Sequence, residues 1–408
     1  MNEIIRAIQS LLQLEHQDFL PLHEPHFHGR EWEYVKECID TGWVSSVGKF
    51  VDRFEKDLTD YTGAKYAIVT ANGTSALHMC YLLAGVESGD EVLVPTLTFV
   101  ATCNALSYCH AIPHFYDCDI QYLGVDIEKL RHYLKEMTII KDAACYNKKT
   151  SRRIRALCVM HTFGHPVDLD PLLALANEYH LILIEDAAEA LGSFYKNKHV
   201  GNHGLLSAFS FNGNKIVTTG GGGAIITNHA MLAQQAKHLT TTAKKPHAWE
   251  YCHTDVGYNY RMPNINAALG CAQLEQLPYF LSVKRALAKN YHHAFSNNNN
   301  AHFLAEPAFA KSNYWLNAIF ISAGRDVRNK VLEKLNASNI GVRPVWELMH
   351  KLPMYEHCPQ MDLSNAEMIA DQVINIPSSV FLGKALYPTE MKMRDFSAKT
   401  CEPLKRFD

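Results

Sequence analysis

The sequence predicts an α/β protein with a mainly parallel seven-stranded sheet between layers of helices, followed by a smaller C-terminal α+β domain. Short apolar runs alternate with helical patterns from about residue 65 to residue 239, and this alternation is typical of a parallel sheet covered on both faces. It stops near Pro278, and 408 residues are enough for two domains. We therefore expect an N-terminal segment over 1–45 that packs on the small domain or on a partner subunit, a large domain over 46–278 and a small domain over 279–408.

The elements follow from the periodicity of apolar residues. In the large domain, apolar runs predict strands at 66–70, 91–94, 112–116, 155–159, 181–185, 205–210 and 224–227. Helical patterns between them predict helices at 74–84, 99–108, 126–134 and 169–179. In the small domain we expect helices at 281–295 and 327–337, strands at 316–321 and 340–343, and an exposed turn at 297–300. At the N-terminus, an amphipathic helix is predicted by the spacing of Ile4, Ile5, Ile8, Leu11 and Leu12.

Composition excludes several classes of partner. The net charge of −3 gives no basic surface for nucleic acid. No apolar stretch approaches the ~18 residues that a membrane helix needs, and acids at Glu3 and Glu15 argue against a signal peptide. The eleven cysteines form no Cys-x-x-Cys pair, so we expect reduced thiols in a cytoplasmic protein. His161 and His165 have the spacing of a metal pair, but Gly164 and Pro166 indicate a strand end and loop, so we expect no metal.

Polar residues follow three of the predicted strands. Asn72-Gly73-Thr74-Ser75 joins a strand to a helix, Asp186 ends another strand, and Ser210 ends a third. Ligands of parallel sheets bind at the carboxyl ends of the strands, so these segments point to one place. The helix start after Asn72 can bind a phosphate through its free N–H groups or be an ordinary cap.

Lys215 lies 29 positions after Asp186, in Ser210-Phe-Asn-Gly-Asn-Lys215. A lysine that forms a Schiff base and an aspartate that pairs with a pyridinium nitrogen are the two groups that pyridoxal phosphate (PLP) requires. Glu189 can bond the 3-hydroxyl of such a ring or face solvent, whereas Glu185 points to the other side of its strand. Phe99 can stack on the ring or belong to the core. The run Gly220 to Gly223 is not a dinucleotide fingerprint, which argues against a nicotinamide-dependent dehydrogenase.

At these residues the chain resembles the sugar-nucleotide aminotransferases of the DegT/StrS family, a branch of fold-type I PLP enzymes. The matching segments are Asn72-Gly-Thr-Ser-Ala-Leu77, Glu185-Asp-Ala-Ala-Glu-Ala190, Ser210-Phe-Asn-Gly-Asn-Lys215 and Gly257-Tyr-Asn-Tyr-Arg-Met262. The resemblance implies that Lys215 is the Schiff-base lysine and Asp186 its pyridinium partner. It also implies that Gly73, Thr74, Ser75 and Ser210 hold the phosphate, that Phe99 stacks on the ring and that Glu189 lies near its hydroxyl.

The segments at Gly42–Phe54 and Phe211–Lys215 resemble a subgroup that aminates the C4 ketone of nucleotide-linked 4-keto-6-deoxy-2-acetamido sugars, for legionaminic acid or bacillosamine. This implies glutamate as amino donor, and a homodimer in which Asn259 reaches the phosphate of the partner's site. Substrate contacts are implied for Arg343, Trp346 and His350. Two departures from the family pattern, Gly221 in place of an acid and Glu189 in place of Gln or His, leave the sugar open. A perosamine-type or 3-keto-sugar aminotransferase and a non-catalytic PLP-binding regulatory protein remain alternatives.

Overall fold

The computed structural model describes residues 1–12 and 19–384. Its helices are α1 (Asn2–Leu12), α2 (Glu31–Thr41), α3 (Lys49–Thr62), α4 (Gly73–Leu83), α5 (Val100–Tyr108), α6 (Ile127–Met137), α7 (Leu169–Glu178), α8 (Ala230–Thr240), α9 (Asn264–Phe295), α10 (Arg325–Ala337), α11 (Ser364–Gln372) and α12 (Val380–Lys384). Its strands are β1 (Tyr66–Thr70), β2 (Glu91–Pro95), β3 (Ile112–Tyr116), β4 (Thr138–Lys141), β5 (Ala144–Asn147), β6 (Arg153–Met160), β7 (Ile182–Asp186), β8 (Phe194–Tyr195), β9 (Lys198–His199), β10 (Leu206–Ser210), β11 (Gly223–Thr227), β12 (Ala301–Phe303), β13 (Ala310–Lys311), β14 (Asn317–Ile321), β15 (Arg343–Pro344) and β16 (Val373–Ile376).

The seven strands predicted for the large domain form one sheet in the order β1-β11-β10-β7-β6-β2-β3. Neighbours from β10 to β3 run parallel, and β11 is antiparallel to both β1 and β10. The α/β fold with a mainly parallel sheet is therefore confirmed. Buried residues dominate these strands because helices cover both faces of the sheet.

The sequence analysis missed a hairpin that extends this sheet. β4 pairs with β5, and β5 pairs antiparallel with the start of β6. The turn between them consists of Asp142 and Ala143, both with positive φ angles of 50° and 55°. Such a turn usually contains glycine or asparagine, so the sequence gives no hairpin signal there.

The small domain is built on the sheet β12-β14-β16-β15. β14 and α10 match the predicted strand at 316–321 and helix at 327–337, whereas β15 retains only Arg343 of the strand predicted at 340–343. α1 buries Ile4, Ile8 and Leu12 in the core of this domain. The N-terminal helix thus packs on the small domain of its own chain, while residues 13–18 and 385–408 of the predicted segments lie outside the described residues.

One helix crosses from the large domain into the small one. α9 spans 32 residues and contains Pro278, the proposed domain boundary, so this boundary falls inside a helix. Further along α9, the fully buried Lys284 donates hydrogen bonds to the main-chain oxygens of Trp315 and Ser378. Burial lowers the pKa of Lys284 to about 7.

No helix within 1–12 and 19–384 is long and apolar enough to cross a membrane.

Candidate active site

The carboxyl ends of the central strands meet at one edge of the sheet. Gly223 at the start of β11 pairs with Thr70 at the end of β1 and with Ser210 at the end of β10. β7 runs parallel to β10 and ends at Asp186. Because α4 begins directly after β1, the structure brings the Asn72 turn, Asp186 and Ser210 to the same edge, as the sequence predicts.

The start of α4 forms a small cradle with the end of β10. The Asn72 side chain caps the helix, accepting a hydrogen bond from the Ser75 amide (Oδ1 to N, 2.8 Å). A Cβ at Gly73 would lie 2.8 Å from Cβ of Ser210, so only glycine lets the serine approach the helix this closely. The half-buried Thr74 and the buried Ser75 provide hydroxyls at the same turn. Free N–H groups, the helix dipole and hydroxyls together suit a phosphate.

The glycine run is required at three of its four positions. Gly220 has a positive φ of 77°, and a Cβ at Gly222 would lie 2.1 Å from Oγ1 of Thr219. A Cβ at Gly223 would lie 2.5 Å from the Asn72 main-chain oxygen, so β11 passes the cradle only as glycine. At Gly221 the nearest atom to a Cβ would be Ala71 O at 4.0 Å, which leaves room for a side chain. Steric crowding therefore does not account for glycine at position 221.

Asp186 is a buried carboxylate whose hydrogen-bond donors are neutral. Its Oδ2 accepts from the Thr102 hydroxyl at 2.7 Å, and its Oδ1 accepts from the Ala188 amide at 3.2 Å. Burial raises the pKa of Asp186, against the effects of these bonds and of the nearby Lys215 charge. Asp186 takes part in none of the ion pairs found in the described part of the chain. A cation bound beside it would therefore stabilise its ionised form.

Lys215 lies between a carboxylate and an aromatic ring. Its Nζ is 3.1 Å from Glu189 Oε1 and 3.8 Å from the centroid of the Trp315 ring. Glu189 is only 3% exposed and also accepts a hydrogen bond from the Phe163 amide at 2.9 Å. Burial raises the pKa of Glu189 to about 6, and the Lys215 charge opposes this rise. Of the two predicted alternatives for Glu189, facing solvent is wrong.

Glu185 lies on the opposite side of β7 and serves the framework of the sheet. It accepts a hydrogen bond from His161 Nε2 at 3.0 Å and from the amides of Gly201, His203 and Gly204 at 2.6 to 2.8 Å. Burial alone would raise the pKa of Glu185, but the hydrogen bond and charge of His161 and the other donors lower it to about 2. The two histidines with metal-like spacing have different partners: His161 bonds Glu185, and the His165 ring packs on Tyr314.

The predicted substrate residues are only partly brought to this edge. Phe99 precedes α5 and is 51% exposed, so it is a surface ring and not a core residue; the Trp346 ring packs edge-on against it with centroids 6.3 Å apart. His350 Nδ1 is 2.7 Å from the hydroxyl of Thr96, just after β2. Arg343 is exposed, and its side-chain hydrogen bonds stay within the small domain.

Comparison with known proteins identifies the family. Residues 25–386 match the DegT/DnrJ/EryC1/StrS aminotransferase family. The chain belongs to this family. It is 37% identical over 363 residues to GDP-perosamine synthase of Escherichia coli O157:H7, covering 88% of this chain and 93% of that protein. It is 33% identical over 335 residues to the putative pyridoxal phosphate-dependent aminotransferase EpsN of Bacillus subtilis (strain 168), covering 82% and 83%.

The fold agrees with that assignment. PseC of Helicobacter pylori, an aminotransferase involved in the biosynthesis of pseudoaminic acid, superposes with a TM-score of 0.81 at 25% identity, over 93% of this chain and 97% of that one. This chain is thus a PLP-dependent sugar aminotransferase of the DegT/StrS type. The predictions of fold, enzyme class and cofactor are confirmed, whereas the named relatives do not single out the legionaminic acid or bacillosamine subgroup.

The residues of this DegT/StrS site fit PLP. Among the described residues, the buried carboxylate of Asp186 pairs with no cationic side chain, which suits a protonated ring nitrogen. The cradle of Gly73, Ser75 and Ser210 suits the phosphate group. Lys215 supplies an amine within reach of Glu189 at the same edge.

Three residues of the site escaped the sequence analysis. Thr102 bonds Asp186 from the first turn of α5. Asn313 donates to the main-chain oxygens of Glu189 and Leu191 at 2.8 and 2.9 Å, and Trp315 lies on Lys215. Thr102 lies three positions after Phe99, and this spacing could have indicated that Thr102 also lies near the predicted cofactor ring. Asn313 and Trp315 lie 98 and 100 positions after Lys215, and nothing in their local sequence indicates contact with Glu189 or with the lysine.

Proposed function

We propose that this enzyme transfers an amino group from glutamate to the C4 ketone of a nucleotide-linked 4-keto-6-deoxy sugar, with Lys215 as the residue that bonds the cofactor. The observation that carries the proposal is the position of the Lys215 amine. It lies 3.1 Å from Glu189 at the sheet edge that also holds Asp186 and the start of α4.

Each side chain has a role in the proposed reaction. Bound PLP supplies a ring that accepts electrons while an amino group is exchanged for a ketone. Asp186 holds the proton on the ring nitrogen, because an opposite charge favours the ionised carboxylate. The start of α4 with Ser210 binds the phosphate, and Phe99 packs on the ring. Lys215, once free, moves a proton to or from the substrate carbon.

The two candidate substrates differ at C2 and in the nucleotide. The motif resemblance at Gly42–Phe54 and Phe211–Lys215 supports a 2-acetamido sugar of the legionaminic acid or bacillosamine type. The relative named GDP-perosamine synthase, 37% identical over most of the chain, supports a GDP-linked perosamine-type substrate instead. We propose that Trp346 and His350, which adjoin Phe99 and Thr96, contact the sugar nucleotide, and that Arg343 does so from the small domain.

We further propose a homodimer with shared active sites. Asn259 is exposed and pairs with Thr241 at the edge of a loop. Nearby, Trp249, Tyr251 and Val256 are 78%, 82% and 77% exposed. Large apolar side chains that stay in solvent in one subunit are the kind of surface that a second subunit covers. This supports the proposal that Asn259 reaches the partner's phosphate.

The cysteines support a cytoplasmic location for this proposed activity. Within the described residues every cysteine is free, and all but Cys252 and Cys358 are buried. Free thiols of this number suit a reducing compartment.

Replacing Lys215 tests the central assignment. The Lys215→Ala variant should lose both the visible absorbance of the bound cofactor and turnover, because no other amine takes its place. Lys237→Ala, which removes an exposed lysine paired with Glu55, is the matched control and should keep both. Turnover in Lys215→Ala would refute the assignment.

Two further assays separate the alternatives. Glutamate alone should bleach the visible band of an aminotransferase and leave that of a non-catalytic PLP-binding protein unchanged. Parallel assays with GDP-4-keto-6-deoxymannose and a UDP-linked 2-acetamido-4-keto-6-deoxy sugar then identify the substrate. Amination of the first and not the second selects the perosamine type. The reverse selects the 2-acetamido type, and turnover of neither would overturn the C4-ketone proposal.

A further inference from the structure

Trp315 covers the amine that the proposed function makes reactive. The centroid of its ring lies 3.8 Å from Lys215 Nζ, and the ring is 4% exposed. Tryptophan is the strongest aromatic partner for a cation, and the attraction grows when both groups are withdrawn from water. The Lys215 side chain is 13% exposed, so this contact is largely shielded from solvent.

The ring is held in place at several atoms. Its Nε1 donates a hydrogen bond to the main-chain oxygen of Asn214 at 2.7 Å, directly before the lysine. The main-chain amide of Trp315 donates to Asn313 Oδ1 at 2.8 Å, and the main-chain oxygen of Trp315 accepts from Lys284 Nζ at 3.1 Å. Rotation of the ring would break the bond to Asn214, so the indole face stays on the lysine.

The segment that carries Trp315 also fixes the other neighbour of the amine. Asn313 donates to the main-chain oxygens of Glu189 and Leu191, and its amide donates to the Ser193 hydroxyl at 2.9 Å. The small domain therefore positions both groups that face the Lys215 amine: the Glu189 carboxylate through Asn313 and the indole face directly.

We propose that Trp315 is a positioning residue that holds the free, protonated amine of Lys215 by a cation–π contact whenever this amine is not bonded to the cofactor. The inference rests on the proposed role of Lys215. A ring face stabilises the ammonium form over the neutral amine, whereas a contact that only packs against the side chain affects both forms equally. The two possibilities therefore differ in how pH changes the reactivity of Lys215.

The test measures that reactivity directly in the full-length protein after removal of the cofactor with hydroxylamine. Brief labelling with acetic anhydride at pH 7.5 and at pH 11, followed by peptide mass spectrometry, gives the rate at Lys215. Exposed lysines such as Lys289 serve as internal standards. Wild type is compared with Trp315→Leu, which lacks a ring face, and with Trp315→Phe, which keeps a weaker one. Trp32→Leu controls for loss of an exposed tryptophan.

At pH 7.5 we expect Lys215 in Trp315→Leu to be labelled about threefold faster than in wild type or more, with Trp315→Phe between the two. At pH 11, above the ordinary lysine pKa of about 10.4, neutral amines predominate and the difference should shrink toward equal rates. An equal excess at both pH values would show that the ring only shields the lysine, and equal rates at pH 7.5 would show no effect on the charge. Either result overturns this inference. Neither touches the proposed function, which depends on the visible band and turnover of Lys215→Ala. If Trp315→Leu does not fold, the Trp315→Phe comparison at the two pH values decides the question.

Discussion

Replacing Lys284 by Met should alter how the stability of the enzyme depends on pH. Lys284 is fully buried in α9, and burial lowers its pKa from 10.5 to about 7. In the unfolded chain the amine keeps a proton up to about pH 10.5, whereas in the folded protein it loses this proton near pH 7. The unfolded state therefore binds more protons between these values, and the free energy of unfolding rises with pH in this window.

The magnitude follows from the lowered pKa. One pKa unit corresponds to about 1.4 kcal/mol, so the full burial penalty is roughly 5 kcal/mol at pH values below 7 and is relieved as pH rises toward 10.5. Between pH 7 and pH 9, wild type should gain about 2 kcal/mol relative to Lys284→Met. For a chain of this size this is a difference of roughly 2–3 °C in Tm.

The assay is thermal unfolding of wild type and Lys284→Met at intervals from pH 6.5 to 9.5. Other groups that titrate in this range are the same in both proteins, so the difference between the two curves isolates Lys284. Lys289→Met, on the exposed side of the same helix, is the matched control and should follow wild type. Parallel curves for wild type and Lys284→Met would show that the buried amine does not change its protonation on folding, and would refute the reasoning.

Three further predictions concern the edge of the sheet. The pKa of Glu189 is raised to about 6, so the stabilisation from protonated Glu189 is present below pH 4.5 and is lost as pH rises through 6. In thermal unfolding, wild type should lose about 2 kcal/mol relative to Glu189→Gln as pH rises through this range. Gly73→Ala should weaken PLP binding about tenfold in absorbance titrations, because the added Cβ would displace Ser210. Gly213→Ala is the control and should bind PLP normally, because its Cβ would meet only Gly220 O at 3.8 Å. Glu185→Ala leaves four donors, two of them buried and two half-buried, without their acceptor. It should lower stability by about 4 kcal/mol, a fall in Tm of roughly 5 °C; an unchanged Tm would contradict the framework role of Glu185.

The sheet and its functional edge are predictable from sequence because each depends on local patterns. A buried parallel strand is a short apolar run, and the carboxyl ends of such strands share one edge, so Asp186 and Ser210 could be placed together without coordinates. The cradle at Asn72 follows from the same rule, since a helix begins directly after β1.

The remaining features depend on contacts between distant segments or on unusual backbone. Trp315 contacts Lys215 from 100 positions further along the chain, and no pattern in the local sequence indicates this. The β4–β5 hairpin turns at Asp142 and Ala143, which carry positive φ angles without glycine. Pro278 suggests a helix end, but α9 continues through it because the residues on both sides are buried against other elements.

The continuity of α9 limits how this enzyme can be divided or recombined. At a rise of about 1.5 Å per residue, the helix is roughly 48 Å long, and its first half contacts α2 and α3 while its second half enters the core of the small domain. A chimaera joined at residue 278 would combine two halves of different origin within one helix. A fragment ending there would lack Val283, Leu287 and Tyr291, which are buried in the second half of α9. Exchange of the C-terminal part between relatives should therefore use a junction in the loop before Asn264, so that all of α9 comes from one parent.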